Sequence, residues 1–215
     1  MSNEHNFSGV HILDHPLIRH KLAHLRKVET PSHVFRDLMK EITILLGYEV
    51  LRDMQTKETE FETPNEKAKV QVLDGRKHCL VSILRGGNGL LNGMLELMPL
   101  AKVGHIGLYR DPERLIPVEY FLKLPDDMNE REVIILDPML ATGKSAIAAI
   151  DRVRSYDAIN VKFLCIVAAP EGIASVREEY EDIPIYTAAI DRALDEHGHI
   201  LPGIGDAGDR LYGSK

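Results

Sequence analysis

The sequence predicts an α/β fold: a mostly parallel sheet covered by helices on both faces. Three observations predict it. Three apolar runs, Cys79–Leu84, Val133–Asp137 and Val161–Ala169, are rich in Val, Ile or Leu and stop beside small, Gly or Pro residues, as strands buried on both faces do. Each run is followed by a stretch with helical character: GLLNGMLELMP, SAIAAIDRVRSYDA and ASVREEYEDI. No repeat, low-complexity tract or Gly/Ser linker divides the 215 residues, so residues 1–215 read as one domain. Strand, small-residue loop, helix, strand is the pattern of right-handed crossover units. In such sheets ligands sit at the carboxyl ends of the strands, here the loops after Leu84, Asp137 and Ala169.

The elements follow in order. Pro31–Gly47 reads as a helix with Thr30 as N-cap, Pro31 at its first position and Gly47 as its stop. Residues 103–124, VGHIGLYRDPERLIPVEYFLKL, hold two β-rich runs around an Asp-Pro turn, a hairpin arm that projects from the sheet. In the stretch after the second apolar run, Ile147, Ile150 and Val153 recur every third residue with charges between, which predicts a helix. The tail, HILPGIGDAGDRLYGSK, carries four Gly and one Pro and reads as a loop with a shaped backbone.

Composition narrows the function. The chain has 26 Lys plus Arg against 33 Asp plus Glu, a formal net charge of −7, which argues against a nucleic-acid or anionic-membrane partner. It lacks a run of about 18 apolar residues, and MSNEHNFSGV lacks a signal-peptide pattern, so a soluble cytoplasmic protein is expected. Cys79 and Cys165 lie inside apolar runs and read as reduced core thiols. His11 with His15, and His20 with His24, have a spacing that can bind metal on a helix, but Pro16 interrupts the first pair and neither has a completing ligand. Asp126-Asp127, Glu178-Glu179 and the turn histidines His197 and His199 read as solvated. Tyr109, Tyr120 and Phe121 read as strand-packing residues.

The densest signal is VIILDPMLATGKSAIAAI, from Val133 to Ile150. A buried strand delivers Asp137 to its carboxyl end, a turn follows, and a helix begins near Ser145. Free N–H groups at that helix start, with the Thr142 and Ser145 hydroxyls, form a cup for a phosphate, and Gly143 lets the backbone approach it. Asp137 at the mouth suits ribose hydroxyls. Gly143-Lys144-Ser145 matches the second half of a triphosphate P-loop, but that motif needs Gly where this chain has Pro138, and Met139 and Leu140 would crowd a wrapped triphosphate.

LDPMLATGKSA resembles the phosphoribosyl-pyrophosphate loop of uracil phosphoribosyltransferases, whose usual form is DPMLATGGS. HGHILPGIGDAGDRLYGSK is similar to that family's uracil-binding segment, and HPLIRHKLAHLR, VGHIGLYRDPERLIPVEYFLKLP and VAAPEGI match other stretches of it. The resemblance runs from about Val10 to Lys215. It implies the type I phosphoribosyltransferase fold, with a small base-binding hood over residues 197–215. It also implies transfer of the 5-phosphoribosyl group to N1 of uracil, giving UMP and pyrophosphate in pyrimidine salvage. Phosphoribosyl-pyrophosphate contacts then fall on Arg85, Arg110, Asp137, Pro138, Met139, Leu140, Ala141, Thr142, Gly143, Lys144, Ser145 and Asp206. Uracil contacts fall on Ile200, Gly205, Asp206 and Ala207, and Arg85, Arg110 and Asp206 carry the catalytic roles. The resemblance further implies Mg2+, held through substrate and water without a direct protein ligand, and a homo-oligomer, a dimer or tetramer. Some relatives are activated by GTP, an effector with no readable marker in this sequence. Two residues depart from the family pattern. Lys144 replaces a loop glycine, where it either adds a cation or points to solvent, and Arg85 is followed by Gly86-Gly87 where the family has Ala-Gly.

Overall fold

The computed structural model describes residues 7–75, 77–110 and 117–214, with Arg110 described in its backbone only. In chain order, β1 (Val10–Ile12) leads to α1 (Pro16–Arg26), α2 (Ser32–Val50), and the hairpin strands β2 (Thr56–Glu62) and β3 (Lys67–Leu73). Next come β4 (Lys77–Leu84), α3 (Asn88–Leu97), β5 (Lys102–Arg110), β6 (Pro117–Lys123), β7 (Arg131–Leu136), β8 (Met139–Leu140) and α4 (Lys144–Arg154). The chain closes with β9 (Asn160–Leu164), β10 (Val167–Ala168), α5 (Pro170–Glu179), β11 (Ile185–Thr187), β12 (Ala189–Ile190), β13 (Ala193–Leu194), β14 (Ile200–Leu201) and α6 (Ala207–Tyr212).

Seven strands form the main sheet in the order β1-β11-β9-β7-β4-β5-β6, all parallel except β6. Successive strand side chains point to opposite faces, and both faces are filled. On one, Leu80, Ile134 and Leu136 pack with Leu25, Phe35, Met39 and Leu46 of α1 and α2 and with Leu90 and Met94 of α3. On the other, Cys79, Val81, Val133 and Ile135 pack with Ala149, Ile150 and Val153 of α4 and Ile173 and Val176 of α5. Both cysteines are free and buried. Among the described residues no helix is long and apolar enough to cross a membrane.

The predicted strands and their following helices form, with four adjustments. The helix predicted over Pro31–Gly47 runs on to Val50, because Gly47 serves packing: a Cβ there would lie 2.7 Å from Met94 Sδ and Leu97 Cδ1. Pro31 takes the N-cap position, and the Thr30 hydroxyl donates instead to the His24 carbonyl at 2.6 Å. The run Val161–Ala169 is not one strand: it leaves the main sheet after Leu164, and β10 pairs with β8 and β12 in a separate three-stranded sheet. The glycine-rich tail contains α6, capped by the Asp206 carboxylate, which accepts from the Asp209 N–H at 2.9 Å.

The hairpin arm expected over 103–124 begins as part of the main sheet. Pairing of β4 with β5 ends at Gly107, a bulge follows, and Leu108–Arg110 with Pro117–Glu119 extends beyond it. The Asp111-Pro112 turn lies outside the described residues. A second hairpin, β2 with β3, forms a two-stranded sheet of its own with mostly exposed residues.

Candidate active site

The loop after β7 carries Asp137 at its start and ends on the N-terminus of α4. Burial pushes the Asp137 carboxyl up to about 7, opposed by a hydrogen bond from the Met139 backbone N–H. Pro138 follows, and its carbonyl accepts from the Ile166 and Val167 N–H groups at 3.0 and 3.2 Å. Met139 and Leu140 are the strand β8, so the chain runs straight here instead of wrapping as a P-loop does. Ala141 and Thr142 lead to Gly143, whose φ of +83° suits glycine, and α4 starts at Lys144 without a side-chain cap. A helix N-terminus carries a partial positive charge, and this one stands directly after the loop. Lys144 is exposed and helical; among the described non-glycine residues only Asp157 has a positive φ, so the substitution carries no left-handed strain.

Close packing fixes this loop against α5. A Cβ on Gly172 would lie 2.3 Å from the Ala141 carbonyl oxygen, and one on Gly143 would lie 2.9 Å from that of Gly172. Only two glycines allow the approach.

A second loop follows β4. Arg85 donates to the Asp209 carboxylate at 2.8 Å and to the Ser214 hydroxyl at 3.1 Å, and lies over the Tyr212 ring. The Asp209 hydrogen bond is the main reason its pKa stands above that of a free guanidinium. Gly86 and Gly87 then bring the chain to the N-terminus of α3, which also has no side-chain cap. The Leu84–Arg85 peptide is cis, as is Leu201–Pro202.

The third component is the tail. Ile200 and Ala207 are buried, while Gly205 and Asp206 are exposed. Gly203 and Gly205 have φ of +67° and +72°. The three loops converge at Gly86: a Cβ there would lie 2.8 Å from Pro138 Cγ and 4.0 Å from the Gly208 nitrogen. A Cβ on Gly208 would lie 3.4 Å from Asp206 Oδ1 and 3.6 Å from Arg85 Nη2. Arg85, Asp206 and the loop from Asp137 are thus gathered at one end of the sheet, whereas the Arg110 side chain lies outside the described residues.

Several residues that hold this site were not singled out in the sequence. Asp209 anchors Arg85. Arg26, Asp191 and Arg210 hold the tail, with Arg26 and Asp191 forming an ion pair at 2.6 Å. The sequence signals for them were indirect: Arg26 lies inside HPLIRHKLAHLR, and Asp209 and Arg210 lie inside HGHILPGIGDAGDRLYGSK.

The other candidates have structural partners. His15 caps α1, accepting from the Leu17 N–H at 3.1 Å, and His11 stacks on Tyr186. His199 meets Asp195 at 3.1 Å. Asp127 is not merely solvated: it takes both arms of Arg131, at 2.7 and 2.6 Å, and Lys102, which hold its carboxyl well below the usual range. Tyr109 and Tyr120 pack across the hairpin. A cavity of about 850 Å3 between β1, α1 and α2, lined by His11, Tyr48 and Tyr186, shares no residue with the site.

Comparison with known proteins places this geometry. The family model described as Uracil phosphoribosyltransferase matches residues 12–214. A uracil phosphoribosyltransferase of Legionella pneumophila (strain Lens) is 55% identical over 210 residues, 98% of this chain and 98% of the relative. One of Acidovorax ebreus (strain TPSY) is 54% identical over 208 residues, 97% of this chain and all of the relative. Among solved structures, the AQ2163 protein from Aquifex aeolicus superposes with a TM-score of 0.89 at 36% identity, covering 94% of this chain and 97% of that one. A hypoxanthine-guanine phosphoribosyltransferase from Bacillus anthracis shares the fold alone, with a TM-score of 0.51 at 11% identity over 74% of this chain and 80% of that one. With the loop after β7, its arginine loop and its glycine-rich tail gathered at one sheet end, this chain belongs to the uracil phosphoribosyltransferase family.

Proposed function

We propose that the protein transfers the 5-phosphoribosyl group of phosphoribosyl pyrophosphate to N1 of uracil, releasing UMP and pyrophosphate in pyrimidine salvage. The observation that carries this reading is the convergence of three loops at Gly86, which sets an anion cradle, a cationic loop and a base-reading backbone side by side. The family match supports the choice of base.

The 5′-phosphate sits on the cradle from Ala141 to Ser145, held by backbone N–H groups and the Thr142 and Ser145 hydroxyls, with Lys144 contributing charge at its edge. Asp137, Pro138, Met139 and Leu140 form the ribose side, where the Asp137 carboxylate accepts from the ribose hydroxyls. Pyrophosphate leaves toward Arg85, the Gly86-Gly87 backbone and the start of α3, and Arg110 closes over it from the hairpin. Positive charge develops at ribose C1 as negative charge grows on pyrophosphate. Uracil N1 attacks C1 as pyrophosphate leaves, so positioning and electrostatic stabilisation carry the rate without a protein nucleophile.

Uracil presents acceptor, donor, acceptor along its O2, N3–H, O4 edge. Backbone groups of Ile200, Gly205 and Ala207 match that order, and cytosine would set donor against donor. Asp206 faces both substrates and takes the N1 proton. Asp137 and Asp206 would hold a Mg2+ only indirectly, by accepting hydrogen bonds from its water ligands and from the substrate oxygens, with no direct protein ligand. When bound, that ion neutralises charge on the pyrophosphate.

The enzyme works in the cytoplasm as a homo-oligomer. Free buried thiols at Cys79 and Cys165 support a reducing compartment, and family resemblance supports the assembly. GTP, the activator of some relatives, is tested as an additive in the same assay. The deciding experiment incubates the protein with Mg2+, uracil and phosphoribosyl pyrophosphate and measures UMP, with cytosine, hypoxanthine and orotate run in parallel. UMP formation with uracil alone is expected. Absence of UMP, or equal turnover of another base, overturns the reading.

A further inference from the structure

The tail that reads the base is held from behind by an ion pair whose aspartate is buried and whose arginine is partly so. Asp191 follows β12 directly, its own N–H donating to the Ala168 carbonyl at 2.8 Å, and its residue is 7% exposed. Arg26, the last residue of α1, grips it with both arms, Nη1 to Oδ2 at 2.8 Å and Nη2 to Oδ1 at 2.6 Å. Both partners also hold Gly203. The Gly203 N–H donates to Asp191 Oδ2 at 2.9 Å, and the Gly203 carbonyl accepts from Arg26 Nη1 at 2.6 Å. The next carbonyl, that of Ile204, accepts from Arg210 Nη1 at 2.7 Å. Arg210 is itself pinned by the carbonyls of Leu25 and Lys27 and by the Phe35 ring, 4.3 Å from its guanidinium carbon.

The N–H and C=O of Gly203 and the C=O of Ile204 are therefore saturated by side chains on the protein's inner side. The residues that follow, Gly205 and Asp206, are exposed. A buried ion pair is a poor device for stability, since apolar residues of similar volume hold a core as well or better. Apolar residues could not bond these backbone groups, however. A paired charge here fixes the direction of two consecutive peptide planes as the chain enters its base-reading residues.

Resting on the proposed transfer to uracil, we infer that Arg26 and Asp191 are positioning residues for base recognition: by clamping Gly203 they set the backbone that selects uracil, without touching either substrate. Phosphoribosyl pyrophosphate meets this tail only at Asp206 and its other contacts lie on other loops, so the clamp bears chiefly on the base.

The test is steady-state kinetics of Arg26→Lys, varying uracil at saturating phosphoribosyl pyrophosphate and the reverse. Lysine keeps the charge opposite Asp191, but its single ammonium cannot make the two-armed grip and hold Gly203 as well. The KM for uracil is expected to rise roughly tenfold or more, with kcat and the KM for phosphoribosyl pyrophosphate within about twofold. The preference for uracil over cytosine should fall by a similar factor. Unchanged uracil KM and preference would overturn the inference. So would a proportional loss in both substrates' KM and in kcat, which marks a merely structural role. If Arg26→Lys does not fold, Asp191→Asn, which retains the volume and one acceptor, is judged by the same split. The unaltered chain is assayed first: no UMP from it refutes the proposed function, whereas UMP from it with an unmoved uracil KM in the variant refutes the clamp alone.

Discussion

Replacing Gly172 with alanine tests the packing that shapes the phosphate cradle. The new Cβ would stand 2.3 Å from the Ala141 carbonyl oxygen and 2.8 Å from that of Leu140. Ordinary carbon–oxygen contacts are about 3.3–3.6 Å, so α5 and the loop must part by about 1 Å. Two stability effects oppose each other. Alanine in place of glycine in a helix gains about 1 kcal/mol, and overpacking costs about 1–3 kcal/mol. The net loss is at most about 2 kcal/mol, a drop in Tm of up to roughly 8 °C for a chain of this size. Function responds more steeply, because a displacement of about 1 Å in a positioning loop costs on the order of 100-fold. Kcat/KM for phosphoribosyl pyrophosphate, read from UMP formation, should therefore fall by about two orders of magnitude in a protein that remains folded by circular dichroism. A Gly172→Ala variant with the parent's kcat/KM would refute the reasoning, since the loop would then tolerate a 1 Å shift.

Other substitutions probe the remaining parts. Asp206→Asn keeps a good N-cap for α6, so its Tm should hold while kcat drops about 100-fold with KM values within a few-fold; unchanged kcat would remove Asp206 from the chemistry. The Asp137 carboxyl, raised to about 7 by burial, is neutral at low pH in the free protein, and its charging disfavours the fold as pH climbs from about 4 through 7. Asp137→Asn should accordingly flatten the fall in Tm between pH 5 and 8 while weakening phosphoribosyl-pyrophosphate binding above pH 7, as calorimetry would show. Asp127 is the opposite case: its carboxyl is held below the usual range by Arg131, so it stabilises the fold above about pH 4 and loses that effect in acid. Asp127→Asn should lower Tm most at neutral pH, and the penalty should shrink progressively as pH falls below about 4. Lys144→Glu places a negative charge at a helix N-terminus, which favours the helix, yet beside a polyanion. Tm should stay level or rise slightly while the KM for phosphoribosyl pyrophosphate increases about tenfold, less at high salt.

The parallel sheet was legible because its central strands carry unbroken apolar runs: Cys79–Leu84 fills both cores by simple alternation. The loop from Asp137 to Ser145 stood out because its residues are contiguous between a buried strand and a helix. What stayed hidden has physical reasons. Nothing in the run through Cys165 and Ile166 signals a change of sheet, since both sheets bury apolar residues. Gly47 looked like a helix stop because composition cannot separate a glycine that frees the backbone from one that admits a neighbouring helix. The six residues of α6 were masked by the surrounding glycines. Arg26 and Asp191 lie 165 residues apart, and a contact made only by the fold leaves no local pattern.

The three-stranded sheet of β8, β10 and β12 has a thermodynamic consequence. Each of its strands has two residues, and each feeds a different working segment: the phosphate cradle, the start of α5, and Asp191. Their spacing is thus a property of shared backbone hydrogen bonds, settled during folding. Immobilising a free backbone costs on the order of 1–2 kcal/mol per residue, and on this side of the site that cost is met before any substrate arrives. The loop after Leu84 is not tied by this sheet, and its Arg85 is held instead by Asp209 and Ser214 of the tail.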